Sequence, residues 1–346
     1  MTHHVLFQRR HAVQGCVVIL DKCKGATSKA ASSQALDELM AQLHSRNDDD
    51  NDASRARGKR VRAEAPKLGH VGTLDPMASG ALPILLGPAT RLALHVPVDR
   101  KRYRALLRLG VETDTGDADG RQVKVDDAFA GLPEGFDLEP LLASLRGEIT
   151  QTPSVYSAIK IAGRPAYERA RAGEQVDMPS RRVQVYALEG AAVDARTVRL
   201  DVTCGTGTYV RSIGTDLAKA CGTCGHLVEL RRVASGVFDV PAEPGGALVV
   251  RVLSLREALE TFCTAVEAGP AAVEVEKALS TGNARALFDA VEPFLALAPE
   301  AAPKAAAATT TSKHALLVHG EPRALVEVDA ASKRCKALVQ FPAYVV

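Results

Sequence analysis

Between residues 69 and 80 the chain reads Gly-His-Val-Gly-Thr-Leu-Asp-Pro-Met-Ala-Ser-Gly. This stretch limits the fold more than any other, because it sets a carboxylate where regular structure is hard to build. Gly69, Gly72 and Gly80 permit tight turns and close approach of a second backbone. Pro76 fixes its own φ and biases Asp75 away from helix. Asp beside Pro is also common in plain surface turns, so the loop alone does not assign Asp75 a role. Its continuation, Ala-Leu-Pro-Ile-Leu-Leu-Gly-Pro-Ala-Thr-Arg-Leu to residue 92, extends the pattern to 24 residues.

Around this loop the chain alternates short apolar runs with turns. Val17 to Leu20 has the length of a strand, and Asp21 to Gly25 reads as a turn. Thr27 or Ser28 caps a helix on which Leu36, Leu39, Met40 and Leu43 share a face. Asn47 to Asp52 then holds four Asp and two Asn, and Arg55 to Lys67 holds six basic residues and one acid. Residues 45–67 therefore read as a flexible charged insertion. Tyr103 to Leu109 is expected as a strand with Tyr103, Ala105, Leu107 and Leu109 on one face. Thr113 to Gly120 is a polar turn, and Leu138 to Leu145 has helical leucine spacing. Val198, Leu200, Val202 and Cys204 alternate as in a half-buried strand. Val210, Ile213 and Leu217 mark a helix with Arg211 in its first turn.

The 346 residues, 46% of them hydrophobic, suffice for one or two domains. A formal charge of +2 means that any nucleic-acid surface is a local patch. Seven irregularly spaced cysteines fit a reducing compartment and no disulfide framework. No apolar stretch has the length of a membrane span. Cys221-Gly-Thr-Cys224-Gly-His226 is half a zinc site whose second pair of ligands does not follow, so no metal is expected. Residues 1–14 read as an N-terminal extension. Specific patterns fade after residue 245. Residues 298–313 form a low-complexity linker, and Ala315 to Val318, Ala324 to Val328 and Lys336 to Phe341 read as short strands.

Several of these segments together resemble the TruB-type tRNA pseudouridine synthases. Val18-Ile-Leu-Asp-Lys22 with Gly25 and Thr27-Ser28 is similar to the family's first motif, with Cys23 where the family usually has Pro. The Gly69–Leu92 run resembles its signature. Lys101-Arg-Tyr-Arg104, Thr113-Asp-Thr-Gly-Asp117, Thr152 to Lys160, Gly207 to Ser212 and His226 to Arg232 follow in family order. Leu82-Pro83, the Thr-Asp-Thr-Gly-Asp run and Pro153 to Tyr156 look like the stand-alone enzymes rather than the guide-RNA-dependent dyskerin type.

The resemblance implies an α+β fold: a long mixed, mostly antiparallel sheet with flanking helices, formed by residues 15–245. Residues 246–346 then correspond to the family's C-terminal RNA-binding PUA domain, in degenerate form at best. It implies conversion of uridine to pseudouridine at position 55 in the tRNA T-loop, with Asp75 as the catalytic carboxylate, Arg211 as its cation and Tyr103 stacked on the uracil. His70 is implied to stack on or brace the loop, Asp117 to organise the site and Leu230 to line the uracil pocket. Lys22, Lys160, Arg231 and Arg232 are implied phosphate contacts. The reaction exchanges a C1′–N1 bond for a C1′–C5 bond without redox change, so no cofactor is expected. A carboxylate assists by attacking the sugar or the base, or by taking a proton from the sugar. The expected partner is the tRNA T-arm, bound by a monomer without an obligatory protein partner and away from membranes. An intracellular site is expected, with nucleus, cytoplasm and mitochondrion all open. Two rival functions are a tRNA-folding chaperone on the same scaffold and a guide-dependent enzyme. Deleting residues 47 to 62 is expected to leave a core that melts cooperatively, as circular dichroism would show.

Overall fold

A computed structural model describes residues 7–49, 65–157, 159–161, 163–245, 248–261, 263–267, 271–295, 311–318, 321–329 and 331–341. In chain order come α1 (Arg9–Gln14), β1 (Cys16–Lys22), α2 (Ser28–Asp49), β2 (Leu68–His70), β3 (Ser79–Leu86), β4 (Arg100–Leu109), β5 (Val111–Thr113), β6 (Gln122–Val125), α3 (Glu139–Ser144) and β7 (Gly147–Gln151). There follow β8 (Lys160–Ile161), β9 (Arg164–Pro165), α4 (Ala166–Arg171), β10 (Arg181–Asp194), β11 (Thr197–Gly205), α5 (Val210–Ala220), β12 (Gly225–Ser235) and β13 (Phe238–Asp239). The rest is β14 (Val249–Ser254), α6 (Leu255–Glu260), β15 (Thr264–Glu267), α7 (Ala272–Thr281), α8 (Ala284–Leu295), β16 (Thr311–Val318), β17 (Glu321–Asp329) and β18 (Arg334–Gln340).

The main sheet runs in the order β14-β1-β3-β12-β4-β11-β10-β7, with β2 beside β3 and β13 beside β12. All its pairings are antiparallel except that of β12 with β3. That junction has two registered pairs, Arg231 with Ser79 and Arg232 with Gly80. The two halves of the sheet meet there, immediately after the Asp75 loop. Gly80 has φ +105°, and a Cβ on it would lie 2.1 Å from the Arg232 carbonyl oxygen. Only glycine lets the strands approach so closely.

Alternation sets the faces. Tyr103, Ala105, Leu107 and Leu109 of β4 are buried, and they pack with Leu36 and Leu39 of α2 and with Val210, Ile213 and Leu217 of α5. β1 is buried along its whole length. Its Val18 and Leu20 join the helix-covered core, while Val17 and Ile19 face Leu255, Leu259, Ala315 and Leu325. A second sheet, β15-β16-β17-β18, thus covers the other face, and α7 and α8 close a third core against it.

Several boundaries differ from those drawn on the sequence. Phe7, placed in the N-terminal extension, is fully buried in the main core. α2 continues to Asp49, five residues into the stretch read as an insertion. Its polar end lacks the apolar spacing by which helices are recognised, and residues 50–64 lie outside the described ones. β14 comes from the region assigned to the C-terminal part, yet it is the edge strand of the main sheet. Residues 311–313 of the expected linker belong to β16. Replacing Gly80 with Ala should destabilise the fold by more than about 3 kcal/mol, since backbone rather than a flexible side chain blocks the new methyl. A denaturant midpoint near that of the native protein would contradict it.

Candidate active site

The Asp75 loop is latched by the turn after β1. The Ser28 hydroxyl accepts from Leu74 N at 2.8 Å and donates to Leu74 O at 3.0 Å. Gly25 N donates to Pro76 O at 2.8 Å. Of the two expected caps of α2, Thr27 performs that task, with Oγ1 accepting from Ala30 N at 3.1 Å, which leaves Ser28 for the loop. Ala78 N closes the turn on Asp75 O at 3.1 Å.

Arg211, on the first turn of α5, reaches this loop from the opposite half of the sheet. Its Nη2 pairs with Asp75 Oδ2 at 2.9 Å and its Nη1 with Asp117 Oδ2 at 3.4 Å. Nη1 also donates to Thr115 O at 2.8 Å and Nη2 to Tyr156 O at 3.2 Å. The Arg211 side chain is 5% exposed and that of Asp75 37% exposed, so the cation is sealed in and the carboxylate faces the opening. Asp117 Oδ1 accepts from Thr115 Oγ1 at 2.7 Å and from Asp119 N at 3.1 Å, which ties it to the Thr113–Gly120 turn.

Tyr103 lies buried on β4, opposite Arg232 of β12. Burial pushes its hydroxyl pKa up; the Arg232 charge opposes that, and Cys204 and Asp75 add to it. Leu230, paired with Ala105, lines a cleft of about 710 Å³ shared with Met77, Ser79 and Arg104, whose lining does not include Asp75, Tyr103 or Arg211. His70 Nε2 lies 3.2 Å from Thr73 Oγ1. Desolvation, then the Arg232 charge, lowers the His70 pKa and favours a neutral ring. Lys160 stands exposed on the β8–β9 hairpin.

Three expected phosphate contacts are corrected by burial. Arg231 is clasped by Asp21, Nη1 to Oδ1 at 2.8 Å and Nη2 to Oδ2 at 2.7 Å. Arg232 Nε donates to Ala81 O at 2.8 Å and Nη2 to Gly72 O at 2.6 Å. Lys22 Nζ donates to Ala26 O at 2.7 Å, Cys23 O at 2.9 Å and Pro76 O at 3.3 Å. These cations hold the loop from inside. Ser28 and the carbonyls of Thr115 and Tyr156 escaped the sequence reading, the carbonyls because any residue type supplies one. Near the half zinc site, His226 Nδ1 lies 2.8 Å from Val111 O. No group of three or more His, Cys, Asp or Glu among the described residues is placed to hold a metal, and none of their helices is long and apolar enough to cross a membrane.

The chain is similar to proteins of one family. Residues 59–210 match the model of the TruB family pseudouridylate synthase N-terminal domain. The tRNA pseudouridine synthase B of Aromatoleum aromaticum is 40% identical over 235 residues, covering 68% of this chain and 67% of that protein. Those of Francisella tularensis subsp. novicida and Chromohalobacter salexigens are each 44% identical, over 51% and 52% of this chain and 58% of theirs. The matches therefore span between somewhat over half and two thirds of these relatives. Among solved structures, an H/ACA RNP bound to a substrate RNA containing 2′-deoxyuridine superposes with TM-score 0.56 at 19% identity, over 99% of this chain and 92% of that one. A Cbf5-Nop10-Gar1 complex superposes with TM-score 0.55 at 20% identity, over 99% and 91%. At that identity the likeness is one of fold.

The buried Lys22 carries a signed pH prediction. Burial pushes its ammonium down to about 8, against pulls from Cys23 and Asp75 and with a push from Arg232. Between that value and the unfolded value the unfolded chain holds a proton that the folded one has lost, so stability rises with pH. Against a Lys22→Met reference, the native protein should gain on the order of 2–3 kcal/mol between pH 7 and 10. Denaturant melts at both pH values would show it, and a constant difference between the two proteins would contradict it.

Proposed function

The chain belongs to the TruB family of pseudouridylate synthases, and on that footing we propose that it isomerises uridine to pseudouridine in tRNA, at position 55 of the T-loop, with Asp75 as the essential carboxylate. One observation carries the assignment to these residues: the Asp75–Arg211 pair at 2.9 Å, open on the carboxylate side and closed on the guanidinium side.

The chemistry follows from that asymmetry. A detached uracil must not diffuse away, so the pocket has to exclude water, and exclusion costs an ionised carboxylate its hydration. Arg211 stays charged and offsets the loss. The target uridine leaves its loop and enters the site at a cost of a few kcal/mol, met by contacts to the rest of the RNA. Tyr103 offers its ring to the uracil and, once its hydroxyl proton has passed to solvent, its phenolate oxygen to the proton on C5. Leu230 borders the space for the base. Asp75 assists bond cleavage at the sugar or base, or takes a proton from the sugar. Asp117 keeps Arg211 oriented, and His70 braces the loop through Thr73. Exposed Lys160 meets a phosphate of the bound RNA. The protein acts alone, as a monomer and without a cofactor.

Purified protein and unmodified tRNA, with no guide RNA or other protein, test this directly. Mass spectrometry should find pseudouridine at position 55. Asp75→Asn should lower turnover by at least ~10³-fold, about 4 kcal/mol of barrier, while tRNA binding persists. Binding without product would favour a chaperone, and product only with an added guide would favour the dyskerin-type reading.

A further inference from the structure

Arg232 is fully buried, and its described partners are two backbone carbonyls rather than a carboxylate. Its Nη1 has no partner among the described atoms, and neither has the buried hydroxyl of Ser235 beside it. Both face Gly72, where an added Cβ would lie 3.4 Å from Nη1 and 3.6 Å from Ser235 Oγ. A buried guanidinium with no carboxylate partner is a costly way to fill space, and apolar side chains of similar size serve packing as well or better. Its placement accounts for it. In the β12–β4 register Arg232 is directly opposite Tyr103. Such cross-strand partners share a face, with Cβ atoms roughly 5 Å apart. Through Gly72 O the same guanidinium holds the segment that leads to Asp75.

We infer that Arg232 is a positioning residue for the isomerisation: it locks the Gly72–Asp75 segment to Tyr103 and stabilises the Tyr103 phenolate, whose own proton has passed to solvent and whose oxygen then takes the C5 proton and returns to the neutral phenol. The inference rests on the roles proposed above for Asp75 and Tyr103. Other charged or titratable groups surround the pair: Lys101 on β4, Cys204 on β11, His70 and Asp75 on the loop, and Lys22 on β1. Cys204 and Asp75 disfavour an ionised Tyr103, and Arg232 favours it. Lys101, itself lowered by burial and by Arg232, sits one alternation away on the same face.

Arg232→Lys tests the inference, since it keeps a charge but loses the fork that reaches carbonyl and phenol together. Single-turnover assays on tRNA carrying 5-deuterouridine at the target should show a rate about 100-fold below that of the native protein. They should also show a larger deuterium isotope effect, with tRNA affinity unchanged. In a Tyr103→Phe background the same substitution should cause a clearly smaller loss, because only the hold on Gly72 O is then left to lose. An Arg232→Lys protein at full rate overturns the inference, as does an equal loss in the Tyr103→Phe background. Should the lysine variant not fold, Arg232→Gln, which retains a donor for Gly72 O, enters the same comparison. A native protein that makes no pseudouridine removes the function and this role together; an active native protein with an unaffected Arg232 variant removes this role alone.

Discussion

One guanidinium organises the site. Arg211 is sealed from solvent and bound by Asp75, Asp117 and the carbonyls of Thr115 and Tyr156. Removing any of these four acceptors would leave more of the buried charge uncompensated. The Asp75 loop, the Thr113–Gly120 turn and the start of α5 are therefore fixed together, although more than a hundred residues separate the first from the last. Of the two carboxylates only Asp75 is open to solvent, so a ligand reaches the network there.

The rest of the sheet serves to hold that opening still. Its halves touch at two registered pairs, and Gly80 allows the contact by having no side chain. From below, Ser28, Gly25 and Lys22 grip Leu74 and Pro76 on either side of Asp75. The carboxylate has its orientation before any substrate arrives. Catalysis benefits from polar groups that need no rearrangement as charge develops.

Much of this was legible in the residues, and what was not follows a pattern. The strand of Tyr103, the helix of Arg211 and the turn of Asp117 announce themselves by alternation, by 3.6-residue spacing and by Thr-Asp-Gly chemistry. The motif likeness alone draws Asp75, Tyr103 and Arg211 together. The sequence does not separate Lys22, Arg231 and Arg232 from surface cations, because a basic side chain looks the same there whether it meets solvent or a buried carbonyl. Asp21, the partner that takes Arg231 inward, lies 210 positions away. β14 was missed because a six-residue strand at a sheet edge has little pattern of its own, and its partner β1 is far off in sequence.

Burial also divides the cations by task. The Arg231 charge is cancelled by Asp21, so that pair is a fastening across the sheet junction with little field beyond it. Lys22 and Arg232 are held mainly by carbonyl dipoles, which satisfy their donors without cancelling their charge. Their positive potential remains at the loop, next to Asp75 and Tyr103, where hydration is scarce and negative charge must be supported. RNA phosphates cannot be gripped by side chains so enclosed. Under the proposed function that grip is left to exposed cations, of which Lys160 on its hairpin is one. Under the proposed function, affinity for the polyanion and stabilisation of the reacting groups are carried by different residues, and salt that screens the first should leave the buried second almost untouched.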